Sequence, residues 1–329
     1  MDDKGKSNRE KVIGYLLLIT FSLLLKPYYL LFIAQNMARI NLDVTEFSFN
    51  PKNTAQYALT LLLGFDSVYY TIIDAANEVL VLRSFHFDHN KDQKNFTIGK
   101  ALDSTLADDN YLKKTFRTTR ILMDTMHYTC VPAKFFDASQ KQLYFKNINA
   151  IVPEENIFLS ENITLTDAIL VYPIEKELHA KINAVFPSSK ILNSISTQVG
   201  YLLNPLGAKK LIMGTNSTDK TVYINFRDGY LQIFFIEGDH FVFSNNFKFS
   251  SPQDVVYYVL LIYKQFKLNP AIVPSYVGGT ITEDSDIYKF LYRYIRYVYF
   301  LPSPSALKLG NQFTGVPSSF YNDIFWGRE

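Results

Sequence analysis

The chain has 329 residues, of which 48% are hydrophobic and 19% are charged, a balance that excludes general disorder and allows two domains of ordinary size, each with its own core. Lysine and arginine number 33 against 31 aspartates and glutamates. No global positive field therefore recruits DNA, and contact with RNA or with an anionic membrane would depend on a local patch.

An apolar N-terminal stretch precedes the patterned part of the chain. Residues 12–34 are mostly apolar, and Lys26 and Pro27 interrupt them. The stretch is long enough to cross a bilayer, although a lysine near its middle opposes insertion. Three interpretations stay open: an extension foreign to the fold, with a working start at Met37; an inner-membrane anchor; and a core helix. We expect residues 1–36 to lie outside the fold and the protein to be cytoplasmic, with membrane anchoring as the alternative.

The first half opens with three short apolar runs that predict an antiparallel meander. These runs are YALTLLL, SVYYTIID and EVLVLRSF, which begin at Tyr57, Ser67 and Glu78. The next predicted elements are a helix from Leu102 to Thr119, a short buried strand YTCVP, a segment from Ala133 to Phe145 that begins as a helix, a loop from Ile151 to Asp167, a strand from Ala168 to Tyr172 and a helix from Glu175 to Phe186. The order of this half is β-β-β-α-β-α-β-α. YTCVP holds the only cysteine, Cys130, which excludes an internal disulfide and which we expect to be buried and inert.

The same order then repeats. TVYINF, YLQIFFIE and HFVFSNNF form a second meander, with turns at Asp228-Gly229 and Gly238-Asp239. The elements predicted after it are a helix from Val255 to Phe266, a strand from Ile272 to Val277, a helix from Asp286 to Tyr297, a strand from Val298 to Leu301 and a last helix within Pro317 to Phe325. This repetition indicates duplication within one chain. The expected divisions are 1–36 as the extension, 37–190 as the first half, 191–219 as a connection and 220–329 as the second half.

A glycine pair lies between the fourth strand of the second half and the helix that follows it. Gly278 and Gly279 allow the backbone to turn sharply or to approach another group closely. Thr280 has capping-box spacing to Glu283, and Ser285 is an alternative helix start. A tight turn of an α/β core is one interpretation of this stretch. A turn that contacts a nucleotide is the other.

Four segments carry a resemblance to a known family: LLLGFDSVYYTIID, TCVP, NFRDGYLQIFFIEGDHFVF and YVGGTITEDSDIYKFLYRYI. The chain resembles an uncharacterised family of bacterial proteins, best known among Bacteroidetes, whose fold is similar to that of actin-like ATPases. The resemblance covers residues 37–329. It implies an α/β protein with an actin-like ATPase fold, in which two ribonuclease-H-like halves, each βββαβαβα, face each other across a nucleotide cleft.

The resemblance also implies a site for ATP with Mg²⁺. By position, Asp66 and Ser67 occupy the first phosphate-binding turn, Asp228 and Gly229 occupy the second, and Gly278, Gly279 and Thr280 form the turn that packs against adenosine. Both phosphate turns depart from the family pattern, because Phe65, Val68 and Tyr69 are bulky at the first, and Arg227 and Tyr230 stand at the second. These departures favour weak nucleotide binding over hydrolysis.

Three functions remain open at this point. The first is a non-catalytic or weakly nucleotide-binding interaction module with a protein partner, and the second is an ATPase or a sugar-kinase-like phosphotransferase. The third is an RNA-associated factor. Tyr292, Arg293, Arg296 and Tyr297 are expected on the outward face of their helix, where they would form a partner surface. His86, Asp88 and His89 lack a partner cluster, so no metal site is predicted there.

Overall fold

The computed structural model describes residues 39–64, 67–87, 97–148, 150–204, 218–227, 229–301, 303–304, 306–317 and 319–326. Its strands in chain order are β1 (Arg39–Thr45), β2 (Ala58–Leu63), β3 (Ser67–Ile73), β4 (Glu78–His86), β5 (Thr118–Met123), β6 (Thr129–Pro132), β7 (Asn156–Asn162), β8 (Ala168–Glu175), β9 (Lys190–Asn193), β10 (Lys220–Phe226), β11 (Tyr230–Glu237), β12 (His240–Lys248), β13 (Ser275–Gly279), β14 (Val298–Phe300) and β15 (Lys308–Leu309). The α-helices are α1 (Ile98–Asp108), α2 (Lys176–Val185), α3 (Ser194–Leu203), α4 (Pro252–Gln265), α5 (Asp286–Tyr292) and α6 (Asn322–Trp326).

The two large sheets share one strand order. In the first sheet β2, β3 and β4 form the predicted antiparallel meander, and β5 and β9 continue it in parallel on the side of β2. In the second sheet β10, β11 and β12 form the meander, and β13 and β14 continue it in parallel on the side of β10. This shared order confirms two ribonuclease-H-like halves.

Further strands extend the first half beyond that shared order. β1 lies antiparallel to β4 at the edge of the first sheet, and β15 pairs with β4 in parallel. β6, β8 and β7 form a separate small antiparallel sheet. Because β15 belongs to the last part of the chain, that part returns to the first sheet after β14.

The centre of the first sheet is buried on both faces. Every side chain of β2 and β3 is buried, and both sequences are mostly apolar, with Thr60, Ser67 and Thr71 as their polar residues. Side chains from α1, α2, α3 and α6 all join this core, among them Leu102, Leu178, Val199 and Ile324. The meander was readable from the sequence because burial on both faces made it predominantly hydrophobic.

The second sheet has two different faces. Val222, Ile224 and Phe226 alternate along one face of β10 and pack with α4 and α5 in a core of their own. Tyr223, on the opposite face, belongs to the core of the first sheet, as does Phe234 of β11. The two sheets are therefore joined by shared packing.

Two predictions in the first half were wrong in their type of structure. The helix expected from Leu102 to Thr119 is only α1, which ends at Asp108, and Thr118 begins strand β5. A strand is favoured there because β5 pairs with β2 along its whole length and buries its last three residues. The loop expected from Ile151 to Asp167 contains strand β7, which is stabilised by pairing with β8.

In the second half the predicted helices and strands are present, but their boundaries differ from the prediction. The helix expected from Asp286 to Tyr297 is α5, which ends at Tyr292, and its N-cap is Ser285, whose hydroxyl accepts from the Tyr288 N–H at 3.2 Å. The Arg296 N–H donates instead to the Pro270 carbonyl at 3.0 Å, so tertiary pairing replaces the helical bond. The expected strand from Ile272 is shifted to β13, and the last helix is the short α6.

Among the helices in the described ranges, none combines the length and the hydrophobicity that a membrane span requires. The apolar stretch at residues 12–34 lies outside the described residues, as does the predicted extension 1–36 to which it belongs.

Candidate functional site

The carboxyl ends of β2 and β5 place Asp124 beside the first hairpin turn. These strands are parallel neighbours, and Leu63 pairs with Met123 at their ends. The next residue, Asp124, donates its backbone N–H to the Leu63 carbonyl at 2.9 Å. Its carboxylate therefore lies at the carboxyl edge of the parallel strands, where open α/β sheets usually bind ligands.

Four protein donors surround this carboxylate. Oδ1 of Asp124 accepts hydrogen bonds from Ser194 Oγ at 2.7 Å and from Gln232 Nε2 at 2.9 Å. Oδ2 accepts from Arg227 Nε at 2.8 Å and from the Tyr230 hydroxyl at 2.5 Å. Because Asp124 is only 2% exposed and each oxygen receives two donors, protein groups alone compensate its charge.

Arg227 joins this carboxylate to a second one from the C-terminal helix. Its Nη2 atom donates to Asp323 Oδ2, which also accepts from the Tyr69 hydroxyl at 2.6 Å. Burial opposes the positive charge of Arg227, but the carboxylates of Asp323 and Asp124 outweigh that effect and hold its pKa well above the ordinary value. Asp124, Arg227 and Asp323 thus form a buried acid–base–acid chain, which we call the charge network.

A layer of side-chain amides lies next to the charge network. The Gln198, Asn225 and Gln232 amides contact one another at 2.9 to 3.0 Å, and all three residues are buried. Asn225 reaches this layer because it alternates with Ile224 and Phe226 along β10 and so faces the first sheet. The layer links α3 to the second sheet by hydrogen bonds, directly beside the charge network.

The chain's own C-terminal segment covers the predicted glycine turn. Gly279 has φ +83°, and a Cβ there would lie 2.1 Å from the Phe226 carbonyl oxygen, so glycine is required for β13 to end against β10. The Gly279 N–H donates to the Ser319 carbonyl at 3.0 Å. Thr280 is exposed, and its backbone N–H donates to the Phe226 carbonyl at 3.1 Å. Close packing against Phe226 explains why the chain turns at Gly279 and why this residue is a glycine.

The other predicted site residues have different surroundings. Asp66 and Asp228 lie outside the described residues. Ser67 is buried at the start of β3, and its carbonyl accepts from the Gly64 N–H at 2.9 Å. Gly229 has φ +77°, and a Cβ there would meet nothing within 4 Å, so there is free space beside this residue.

Gly229 borders a cavity of about 580 Å³. The cavity lies between the end of β5, the small sheet formed by β6, β7 and β8, and the hairpin formed by β10 and β11. Its volume is within the usual range for small-molecule sites. Much of its wall is apolar, and Glu155, Glu175, His127 and Lys248 supply polar groups. Burial and the neighbouring Lys248 lower the pKa of His127, which favours its neutral form at pH 7.

Sequence reasoning missed the charge network. It treated Arg227 only as a departure from a phosphate turn and assigned no role to Asp124 or Asp323. A signal existed for Asp124, because an aspartate directly after the apolar run ILM marks the carboxyl end of a buried strand. Asp323 carried no such signal, since its partner Tyr69 is 254 positions away along the chain.

Two sheets of the same strand order, joined at their carboxyl edges, define an actin-like ATPase fold. One solved structure similar to this chain is a Bacteroides thetaiotaomicron protein with actin-like ATPase fold and unknown function, with a TM-score of 0.67, 17% identity, and coverage of 85% of this chain and 99% of that one. Another is the PilM-PilN type IV pilus biogenesis complex, with a TM-score of 0.52, 10% identity and coverage of 82% and 96%. These similarities establish the fold.

The family follows from the sequence model that matches residues 46–298, described as a protein of unknown function (DUF3822). The chain belongs to the DUF3822 family. No curated protein matches it.

Proposed function

We propose that this member of the DUF3822 family is a non-catalytic actin-like module whose main role is to bind another protein. The observation that carries the proposal is that the C-terminal segment occupies the region between the two sheets. Ser319 accepts the Gly279 N–H, and Asp323 is ion-paired with Arg227 and hydrogen-bonded to Tyr69. The segment contacts the position that an adenosine would take according to the family resemblance.

The saturation of the Asp124 carboxylate supports the same proposal. Phosphoryl transfer depends on donors and on metal-bound carboxylates that are positioned around the phosphates. The oxygens of Asp124 are taken by four protein donors, and Asp323 is paired with Arg227. Withdrawing one carboxylate from such a buried pair costs about 3 to 5 kcal/mol, which Mg²⁺ binding would have to offset.

The proposed partner surface surrounds an edge strand of the second sheet. This strand is β14, and the Tyr288 hydroxyl of α5 donates to its Val298 carbonyl at 3.3 Å, so α5 covers part of the edge. Tyr299 of β14 is 37% exposed, and its ring lies 6.4 Å from that of Tyr297. Arg293 and Arg296 are exposed. Exposed tyrosine and arginine side chains suit an acidic segment of a partner. The PilM structure, whose fold is similar, is a complex with another protein, PilN.

Nucleotide turnover tests the catalytic part of the proposal. We expect purified full-length protein with Mg-ATP to show no phosphate release above that of the double variant Asp66→Ala, Asp228→Ala. Metal-dependent release that this double variant abolishes would instead favour an ATPase or a sugar-kinase-like phosphotransferase.

Charge reversal tests the partner surface. We expect crosslinking in cells to join wild-type protein to a partner that the variant Arg293→Glu, Arg296→Glu no longer captures. The matched control is Lys113→Glu, Lys114→Glu, which reverses two exposed cations beside the first sheet and should leave the partner bound. Equal capture by both variants would contradict this surface. Capture of RNA instead of protein, lost at higher salt, would favour the RNA-associated alternative.

A further inference from the structure

A second cavity, of about 360 Å³, lies at the end of the first sheet opposite the charge network. Ala58 and Thr118, which begin β2 and β5, form part of its wall, whereas Asp124 follows the other end of β5. The turn between β3 and β4 contributes Asn77, which has φ +64°. We call this space the basal pocket. Its described wall contains none of Ser67, Gly229, Gly278, Gly279 and Thr280, the described site residues that the family resemblance implies.

Two arginines give the basal pocket a positive charge. Arg117 and Arg120 both line it, and its described wall contains no aspartate or glutamate. Arg117 is exposed, and its backbone is held by the bond from its N–H to the Tyr57 carbonyl at 2.9 Å. Arg120 is half-buried, and burial lowers its pKa. Two arginines in one pocket wall favour an anionic ligand.

The position of Arg120 follows from the strand register. Thr118 pairs with Ala58 and Arg120 pairs with Thr60 of β2, so Thr118 and Arg120 share one face of the sheet with Ala58. α3 and α6 contribute Tyr201 and Phe325 to the pocket wall. Arg120 is therefore held by β5, and Arg117 lies directly before that strand.

The rest of the wall is largely apolar. Ala306, Leu307 and Phe325 lie in the pocket with Pro304. Leu307 is fixed by the bond from its N–H to the Pro304 carbonyl at 3.1 Å, and Lys308 is fixed by the bond from its N–H to the Asn77 carbonyl at 2.9 Å. The pocket wall thus combines two arginines with a largely hydrocarbon surface.

We propose that the basal pocket binds a small organic anion that carries a phosphate or carboxylate group on an apolar or aromatic body. Guanidinium groups form paired hydrogen bonds with either kind of anion. The pocket volume is at the lower end of the range for small-molecule sites and excludes a large ligand. The ligand would also contact α6, whose Asp323 belongs to the charge network two residues before Phe325.

Calorimetric titration of the full-length protein tests this proposal with four probes: phenyl phosphate, benzoate, inorganic phosphate and benzyl alcohol. We expect phenyl phosphate or benzoate to bind at least tenfold more tightly than inorganic phosphate, because only the aromatic anions can contact both the arginines and the apolar residues of the pocket. Benzyl alcohol should show no measurable binding. The stronger of the two aromatic anions assigns the ligand class. Absence of binding by both, or equal binding by benzyl alcohol, would overturn the proposal.

Variants locate the binding. Arg117→Gln removes an exposed charge without disturbing the core, and we expect it to weaken the aromatic anion at least tenfold, with a similar loss for Arg120→Gln. The matched control Arg296→Gln removes an exposed arginine near the second sheet and should leave binding unchanged. Ala306→Phe fills the pocket and keeps both charges, so it should abolish aromatic-anion binding. Undiminished binding in Arg117→Gln and Ala306→Phe would place the anion elsewhere and refute the basal pocket.

Discussion

The guanidinium of Arg227, at the end of β10, donates through Nε to Oδ2 of Asp124, at the end of β5, over 2.8 Å. This bond joins the carboxyl edges of the two sheets, which belong to different halves of the chain. Both side chains are at least 95% buried, and Asp323 binds the same guanidinium from the C-terminal helix. The carboxyl edges of the two sheets are therefore held together by an internal ion network, beside the cavity of about 580 Å³ that Asp124 also lines.

Asp323→Asn should lower the free energy of unfolding by about 3 to 5 kcal/mol, because it leaves Arg227 buried with one carboxylate in place of two. Urea denaturation measures the change. The matched control is Asp43→Asn, which removes a 42%-exposed partner of Arg83 and should cost less than about 1 kcal/mol. Equal losses in the two variants would mean that the charge network contributes no more than a surface pair.

Gly279→Ala should be among the most destabilising single changes in the chain. Both Gly279 and Gly229 have positive φ, so an added Cβ costs about 1 to 2 kcal/mol at either position. At Gly279 the Cβ also meets the Phe226 carbonyl at 2.1 Å, whereas at Gly229 it meets nothing within 4 Å. We expect Gly279→Ala to exceed Gly229→Ala by more than about 2 kcal/mol in thermal or urea unfolding. Similar losses would show that β13 can move away from β10.

Glu161 should make stability depend on pH. Its Oε1 accepts the Asn193 N–H at 2.7 Å and also the Ser196 hydroxyl at the start of α3, but burial raises its pKa above the ordinary value. At pH values between the unfolded and the folded pKa, the folded state therefore keeps a proton that the unfolded state has released. The contribution of this group to stability is fully present below the unfolded pKa and is lost as the pH rises through the folded pKa.

The substitution Glu161→Gln removes that titration. We expect its free energy of unfolding relative to wild type to increase as the pH is raised from about 4. Urea denaturation at several pH values measures the slope. Glu177→Gln, which replaces an exposed glutamate in α2, is the control and should stay within about 0.5 kcal/mol of wild type throughout. A pH-independent difference for Glu161→Gln would contradict the expectation.

Cys130 should react slowly in the folded protein. Burial raises the pKa of its thiol to about 12, so very little nucleophilic thiolate is present at pH 8. We expect iodoacetamide to alkylate the native protein at least about a hundredfold more slowly than the urea-unfolded protein. Comparable rates would show that the strand β6 opens freely around this residue.

The sequence by itself determined the two meanders and the family, because buried strands such as β2 and β3 are mostly apolar and their turns carry glycine, asparagine and aspartate. It assigned the later strands of the first half to the segments of β6 and β8, which pair in the small sheet and do not continue the first sheet. It also singled out Gly279, whose positive φ of +83° is a local requirement. It did not find β5 or β7, since short strands depend on partners that lie elsewhere in the chain. Only the tertiary structure brought Asp323 to Arg227 and Tyr69 and placed Ser319 on Gly279. These contacts join residues 40 to 254 positions apart, and their stability comes from burial and charge pairing, which no local pattern encodes.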